Sequence, residues 1–480
     1  MKNGLKLLIL GLFVSTGLFA QEWVESMKDP NVNFYTVQEQ FNTYWEKVEK
    51  QVQKKKTTLE KGEAAKGLGY AQYKRWENFW GERVYPSGVR PNPSVLWPLG
   101  SFSASGSTGA AANAGNWQAV GPFDAPNPTN SPYPGIGRIN CITFDPVTSS
   151  TMWVGTPAGG LWKSLDNGVT WSTNTDQLAN LGISAIAIDP VHPDTMFIAT
   201  GDRDAGDTYS YGVLKSTDGG LTWNPTGLSF SVSQTVRAGG LYINPLNTQN
   251  VVVATRNGIY RTLDGRNVWT GIQTGQFNML APDPSNPNKI FAGTTGTTRI
   301  YRSTDAGASW TQLTSGLPST NINRVEITVS PQDSNYVYAV YSNTSNGFGG
   351  LYQSTDGGDT WTLKSSTPNI LSSSANGNGS TGQGWYDLAI AVSPTNKNQV
   401  FVGGVNIWRS NNQGGGWICV GSGYSSSVPY VHPDIHYFKF QPGTNALYTG
   451  SDGGVFKTTN TGTSWTPLYN NMNITQYYRI

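Results

Sequence analysis

The sequence predicts an all-β chain: a β-propeller of seven four-stranded blades, or a larger ring in which the chain stops part-way, preceded by a small α-helical segment. Three observations predict it. An eight-residue box, S/T-x-D-x-G-x-x-W, runs from Ser216 to Trp223 and returns at Ser164 to Trp171, Ser303 to Trp310 and Ser354 to Trp361, with decayed copies at Thr262 to Trp269, Ser410 to Trp417 and Thr458 to Trp465. Its third position, occupied by Asp166, Asp218, Asp264, Asp305, Asp356, Asn412 and Asn460, recurs about every 49 residues, the size of a four-stranded blade. Composition agrees, since 57 Gly and 17 Trp in 480 residues, with 13% charged residues, describe a turn-rich β protein.

Taken in order, the chain opens with Lys2 and Lys6 ahead of an apolar run from Leu7 to Phe19 that ends at Ala20. Residues 1–20 read as a secretory signal peptide, too short to stay in a bilayer, so the mature chain is expected to be secreted or at the cell surface with no transmembrane segment. Of 32 Lys and Arg, removing Lys2 and Lys6 leaves 30 against 30 Asp and Glu, a neutral balance that argues against a nucleic-acid partner. Residues 21–100 form the helical segment. Phe34, Val37, Phe41, Trp45, Val48 and Val52 fall three or four apart, and a second helix is expected from about Gly69 to Trp80. Two such helices carry more aromatic rings than they can bury on each other, so docking on the propeller or on another domain is expected. Pro86, Pro91 and Pro93 end the helices, and 101–116, rich in Ser, Ala and Gly, reads as a flexible linker.

From 117 to 480 the repeat can be written out. Inner strands stop at a polar residue and Pro, as at Asp145-Pro146, Asp189-Pro190, Asn244-Pro245, Asp283-Pro284, Ser330-Pro331, Ser393-Pro394 and Gln441-Pro442. The box then joins the third strand to the outer fourth. Its Asp or Asn accepts backbone amides, its Gly supplies positive φ and its Trp buries a ring, so the box defines architecture and leaves activity open. The copy at Asp264 is the least regular, with Arg266 in the Gly position. Cys141 falls in the first inner strand and Cys419 in the sixth outer strand, two separate buried thiols. Trp117 to Val120 matches a fourth strand, and Ile474 to Ile480 resembles the inner strand of a further unit. The chain therefore reads as the N-terminal part of a longer protein, whose seven blades could still close with the last residues hanging off the ring.

The boxes, the Pro-ended strands and phrases such as Gly159-Gly160-Leu161-Trp162-Lys163-Ser164 resemble the sortilin-type and BNR (Asp-box) propellers over roughly 117 to 480. The N-terminal part, with Tyr70-Ala71-Gln72-Tyr73-Lys74-Arg75-Trp76, is similar to large secreted bacterial proteins, many of them type IX secretion cargo. The resemblance implies a propeller and a choice among sialidases, xyloglucan-active glycosidases and non-enzymatic receptors. Sialidases carry Arg-Ile-Pro before the first box, where this chain has Arg138-Ile139-Asn140. Xyloglucan-active enzymes carry a catalytic Asp in a first-blade Thr-Asp-x-Gly-Gly phrase, where this chain has Thr156-Pro157-Ala158-Gly159-Gly160.

Chemistry could still sit at one mouth of the channel. Eight residues before each strand-ending Pro lie Arg138, Gly182, Arg237, Gln276, Asn323, Tyr386 and Asp434, which would ring that opening. With Asp387, His436 and Asp452 these supply the candidate ligand-binding set Arg138, Arg237, Tyr386, Asp387, Asp434, His436 and Asp452, suited to an anionic or sugar ligand. His432, Asp434 and His436 would share a face if the seventh inner strand began at His432, a candidate site for a divalent cation, or else a hydrogen-bonded polar mouth. Asp202, Asp204 and Asp207 form a second acidic loop, solvated or holding a cation such as calcium. The leading functional expectation is a module that binds a glycan or protein. The alternative is a glycoside hydrolase or related enzyme at the channel mouth, which needs two carboxylates.

Overall fold

A four-stranded unit of this size cannot bury both of its faces alone, and stacking copies around an axis lets each cover the next. In the computed structural model, which describes residues 22–29, 31–54, 70–90, 121 and 134–476, the chain forms seven antiparallel four-stranded sheets, each built from consecutive strands. The inner strands of blades 1 to 7 are Cys141–Phe144, Ile183–Ile188, Ala238–Ile243, Phe277–Pro282, Arg324–Val329, Ala389–Val392 and Ile435–Phe440. Each packs against the next and the seventh against the first, so the ring closes. A cavity of about 140 Å³ on the axis is lined from all seven, among others by Ser184, Arg203, Gly239, Met279, Glu326 and His436.

Closure needs no borrowed strand. Blade 7 takes its four strands from 435–467. An apolar layer including Phe401, Tyr448, Phe456, Ile142 and Val154 runs through blades 6, 7 and 1 without a break. Across the seam the Trp171 indole donates to Leu468 O at 2.8 Å, Gln441 Nε2 to Ser149 O at 2.8 Å, and Ile139 N to Ser451 O at 3.1 Å. Trp117 to Val120 lies outside the described residues. The expectation that the last residues hang off the ring is corrected for 474–476, while 477–480 lie outside the described residues. Met472 and Ile474 are buried, Thr475 Oγ1 donates to Ile136 O, and the segment over 472–476 packs on blade 1 without forming a strand.

The boxes behave as local chemistry requires. In blade 5, Asp356 accepts from Ser354 Oγ, Thr360 Oγ1 and the amides of Asp359 and Thr360. In blade 7, Asn460 Oδ1 accepts the Ser464 amide, while its Nδ2 donates to Ser464 Oγ, reversing the hydroxyl bond that an Asp would accept. The irregular box of blade 3 spends the Asp264 carboxylate on the amides of Arg266, Asn267 and Val268, and its Trp269 indole turns back on Arg266 O. Cys141 and Cys419 are both free thiols, the first buried and the second only partly so.

The chain divides into two compact units, 1–103 and 104–480. In the first, helices Phe34–Lys54 and Tyr70–Val84 are joined by a helix over 22–28 that the spacing did not predict. It brings Trp23 edge-on to Phe41 (5.0 Å between centroids), which stacks on Tyr73 (3.5 Å). The aromatic rings thus find a core within this unit, with Val37 completing it. Arg90 ties the end together by donating to the carbonyls of Ser26, Met27, Asp29 and Val32. Among the described residues no helix is long and apolar enough to cross a membrane.

Candidate functional site

Inner strands run the same way around the axis, so the residues just before them meet at one mouth. Arg138 and Tyr386 come together there: Arg138 Nη1 donates to Tyr386 Oη at 2.8 Å and the guanidinium lies over the ring. Arg138 also pairs with Asp202 at 2.6 Å and Asp207 at 3.1 Å. Tyr386 Oη in turn donates to Asp452, at 2.9 Å from Oδ2. Asp452 sits in the hairpin between the strands Leu447–Ser451 and Gly454–Thr458, and its amide bonds to Asp434 O at 3.1 Å. Gln276 and Asn323 stand at the starts of their strands but are not bonded into this cluster; Asn323 bonds to Asn346.

His436 is the hinge of the network. Its Nδ1 lies 2.9 Å from Asp204 and its Nε2 2.9 Å from Asp452. Burial disfavours its charge, but the bonds to both carboxylates outweigh this and raise its pKa above the ordinary histidine value. With a carboxylate at each nitrogen, both must carry a proton. Asp204 also faces Arg203 at 3.2 Å and Arg324 at 2.9 Å, which hold it well below the usual carboxylate range against the cost of burial. Arg324 completes the floor by pairing with Glu326 at 2.9 Å and donating to the carbonyl of Tyr386.

Two carboxyls at the mouth are pushed in opposite directions. Asp452, its side chain 26% exposed, pays for burial but is held below its ordinary value by His436, Arg138 and Tyr386. Asp434, partly exposed, is pushed up to about 6 by burial and by the charge of Asp452. Beside it lies Asp387, fully buried, whose two oxygens meet no donor among the described residues; burial and the Asp434 charge raise it well above the usual range. A proton held by Asp387 favours the ionised form of Asp434, which partly offsets the burial that raises the Asp434 pKa. Gln383 Nε2 steadies Asp434 at 3.1 Å, and Trp385, half exposed, stands beside Tyr386 at the rim.

Neither expected cation site forms. Ile435 is the first strand residue and Asp434 has φ 65°, so the alternation that would align His432, Asp434 and His436 does not apply. His432 turns its Nδ1 to Pro433 O, and both nitrogens of His436 are taken. In the second loop Asp202 accepts the amides of Asp204, Gly206 and Asp207 besides pairing with Arg138, and Asp204 is likewise buried and paired, while Asp207 is exposed to solvent. Among the described residues no group of three or more His, Cys, Asp or Glu is arranged to hold a metal.

Arg203, Arg324 and Glu326 were not among the expected site residues. Arg324 and Glu326 had a signal, two charges at alternate positions of an inner strand otherwise made of Val, Ile and Thr.

No protein-family model matches the chain. The fold is shared with the GH74 enzyme of Niastella koreensis (TM-score 0.52, 20% identity, 71% of this chain and 55% of that one). It is shared as well with the GH74 xyloglucanase of Xanthomonas campestris (TM-score 0.53, 17% identity, 70% and 55%). In sequence the chain is similar to a xyloglucanase of Hypocrea jecorina, 24% identical over 366 residues, covering 70% of this chain and 39% of the relative. A xyloglucanase of a Paenibacillus species is also 24% identical, over 360 residues, covering 70% and 32%. The chain thus spans well under half the length of these two sequence relatives and about half of the two solved structures.

Proposed function

We propose that the propeller is a carbohydrate-active module of the glycoside hydrolase type, taking a glycan at the channel mouth with Asp434 as proton donor and Asp452 as the ionised carboxylate. The observation that carries this reading is the pair itself. Two partly exposed carboxyls on bonded segments of blade 7 are pushed in opposite directions, Asp434 up by burial and the charge of Asp452, Asp452 down by His436, Arg138 and Tyr386. Separating two carboxyls in this way is how one site supplies both an acid and a base or nucleophile.

The comparisons support this reading more than that of a purely binding module, since the relatives found are named as xyloglucanases. Pro157 stands where the resemblance places a catalytic Asp, in the hairpin between the second and third strands of blade 1. In blade 7 the equivalent hairpin is Ser451-Asp452-Gly453-Gly454, so a carboxylate is supplied one blade away. Trp385 offers an aromatic face on which a sugar ring can lie. Export of the chain to reach such a glycan accords with the signal-like segment at 1–20.

The test is release of reducing ends from xyloglucan, related glucans and charged polysaccharides by the recombinant chain. Asp434→Asn and Asp452→Asn are each expected to cut kcat by about 10²-fold or more, and Trp385→Ala to act mainly on KM. The rate should fall as pH rises through about 6, where Asp434 loses its proton, and fall again in acid as Asp452 gains one. Binding of glycans without turnover at any pH would return the module to a binding role.

A further inference from the structure

Not every arginine at the mouth has a carboxylate partner. Arg138, Arg203 and Arg324 all have carboxylate partners. Arg237, just before the third inner strand, and Arg256, in the hairpin between Val251–Thr255 and Gly258–Thr262, have none among the described residues. They are neighbours, since the Arg256 amide bonds to Arg237 O at 2.9 Å. Each spends a single side-chain donor on a carbonyl: Arg237 Nη1 on Asp204 O at 3.2 Å, and Arg256 Nη2 on Arg203 O at 3.2 Å. Arg256 Nε is buried with no acceptor at all.

The arginines are placed rather than loose. The Arg237 guanidinium lies against Gly206, where a Cβ would strike it, and over the Tyr209 ring. Both side chains are partly buried, and together with burial the charges of Arg237 and Arg324 lower the Arg256 pKa to about 10. The acids nearby are committed elsewhere: Asp202 and Asp207 to Arg138, Asp204 to Arg203, Arg324 and His436. Two adjacent guanidinium forks, half withdrawn from water and lacking a counter-charge, form a receptor for a planar or tetrahedral oxyanion. The receptor adjoins the proposed catalytic pair, because Asp204, whose carbonyl Arg237 holds, also carries His436, and His436 carries Asp452.

We infer that Arg237 and Arg256 form a subsite for an anionic group carried by the sugar chain, a uronate carboxylate or a sulfate ester, so that the glycan taken at this mouth is acidic. This rests on the proposed action on glycans, but its test is separate. Binding of a galacturonate oligomer, a sulfated oligosaccharide, an uncharged gluco-oligosaccharide and inorganic sulfate to the full chain is measured by calorimetry, for the wild type, Arg237→Gln and Arg256→Gln. One of the two charged oligosaccharides should bind at least about tenfold tighter than the uncharged one, and either substitution should remove that advantage. Which of the two binds identifies the group.

Neither variant should melt below the wild type, since each relieves repulsion without stranding an acid. A variant that did melt lower would be compared through the salt dependence of wild-type binding, which must weaken as salt rises. Equal binding of charged and uncharged oligosaccharides, unchanged binding in both variants, or inorganic sulfate bound as tightly as either oligosaccharide would each overturn the inference. Asp434→Asn separates the two ideas: it should abolish turnover and keep the preference for the anionic sugar. A wild type that shows the preference but hydrolyses nothing would fail the catalytic reading alone.

Discussion

At the scale of single residues, His436 organises the site because a buried imidazolium between two carboxylates is at once a support and a liability. With it, Asp204 and Asp452 are neutralised; without it, both are left to the arginines in a dry environment. His436→Asn is therefore expected to cost about 3 kcal/mol in urea unfolding, the usual penalty for breaking a buried ion pair from one side. The pH dependence has a definite sign. The folded pKa of His436 is raised, so its contribution is complete below about 6.5 and is lost as pH rises through the higher folded value. The gap between wild type and variant should thus narrow on the alkaline side, and a gap that widened there would contradict the doubly protonated assignment. Asp434 acts in the same direction, since its raised pKa makes the folded state lose stability as pH climbs from about 4 through about 6.

At the scale of the element, the box shows why one glycine is required and its neighbour is not. The fourth box position is left-handed throughout, yet it is filled by Asn167, Ala306, Gln413 and Thr461 as well as by Gly. The fifth, with φ of 84° to 99° in the six regular boxes, is always Gly. Backbone conformation is half the reason. The other half is the preceding blade: a Cβ on Gly358 would meet the Phe291 ring at 2.6 Å, and one on Gly307 would meet Val252 at 2.7 Å. Gly358→Ala should therefore cost about 3 kcal/mol, combining left-handed strain with overpacking. Ala306→Gly should change stability by less than about 1 kcal/mol, because it removes one methyl at a position that already tolerates side chains. Comparing the two midpoints of denaturant unfolding checks both figures.

At the scale of the whole molecule, the ring must hold where its two ends meet. In blades 1, 6 and 7 the box indole reaches an acceptor on the preceding blade, and for Trp171 that acceptor, Leu468 O, lies 297 residues away. Trp171→Ala removes this bond and the ring of a buried residue in the layer that crosses the seam, at an expected cost of about 3–5 kcal/mol. Trp269 makes a poor seam by comparison. Its indole bonds within its own box and its ring is only partly buried, so Trp269→Ala should cost about 1 kcal/mol. Urea unfolding of the two variants would test whether closure, rather than ring burial in any box, sets the stability of the propeller.

Much of this was legible along the chain, for reasons that are local. A carboxylate or amide pinning its own turn, a Gly at positive φ and a Pro ending each inner strand are interactions spanning a few residues, and they named the blades and the positions of Arg138, Tyr386 and Asp434 at the mouth. The pairing of His432 with His436 failed because it assumed a strand that begins only at Ile435, after a left-handed Asp434. Arg256 gave no signal, since a hairpin arginine is unremarkable until the acids near it are known to be paired with other groups. The sequence by itself determined the repeat, its turns and which residues face the axis. Only the tertiary structure decided which of those residues are charged and which are free to act. The protonation of His436 depends on Asp204, 232 residues away, and a pKa is set by the groups that surround a side chain in space, which spacing along the chain does not encode.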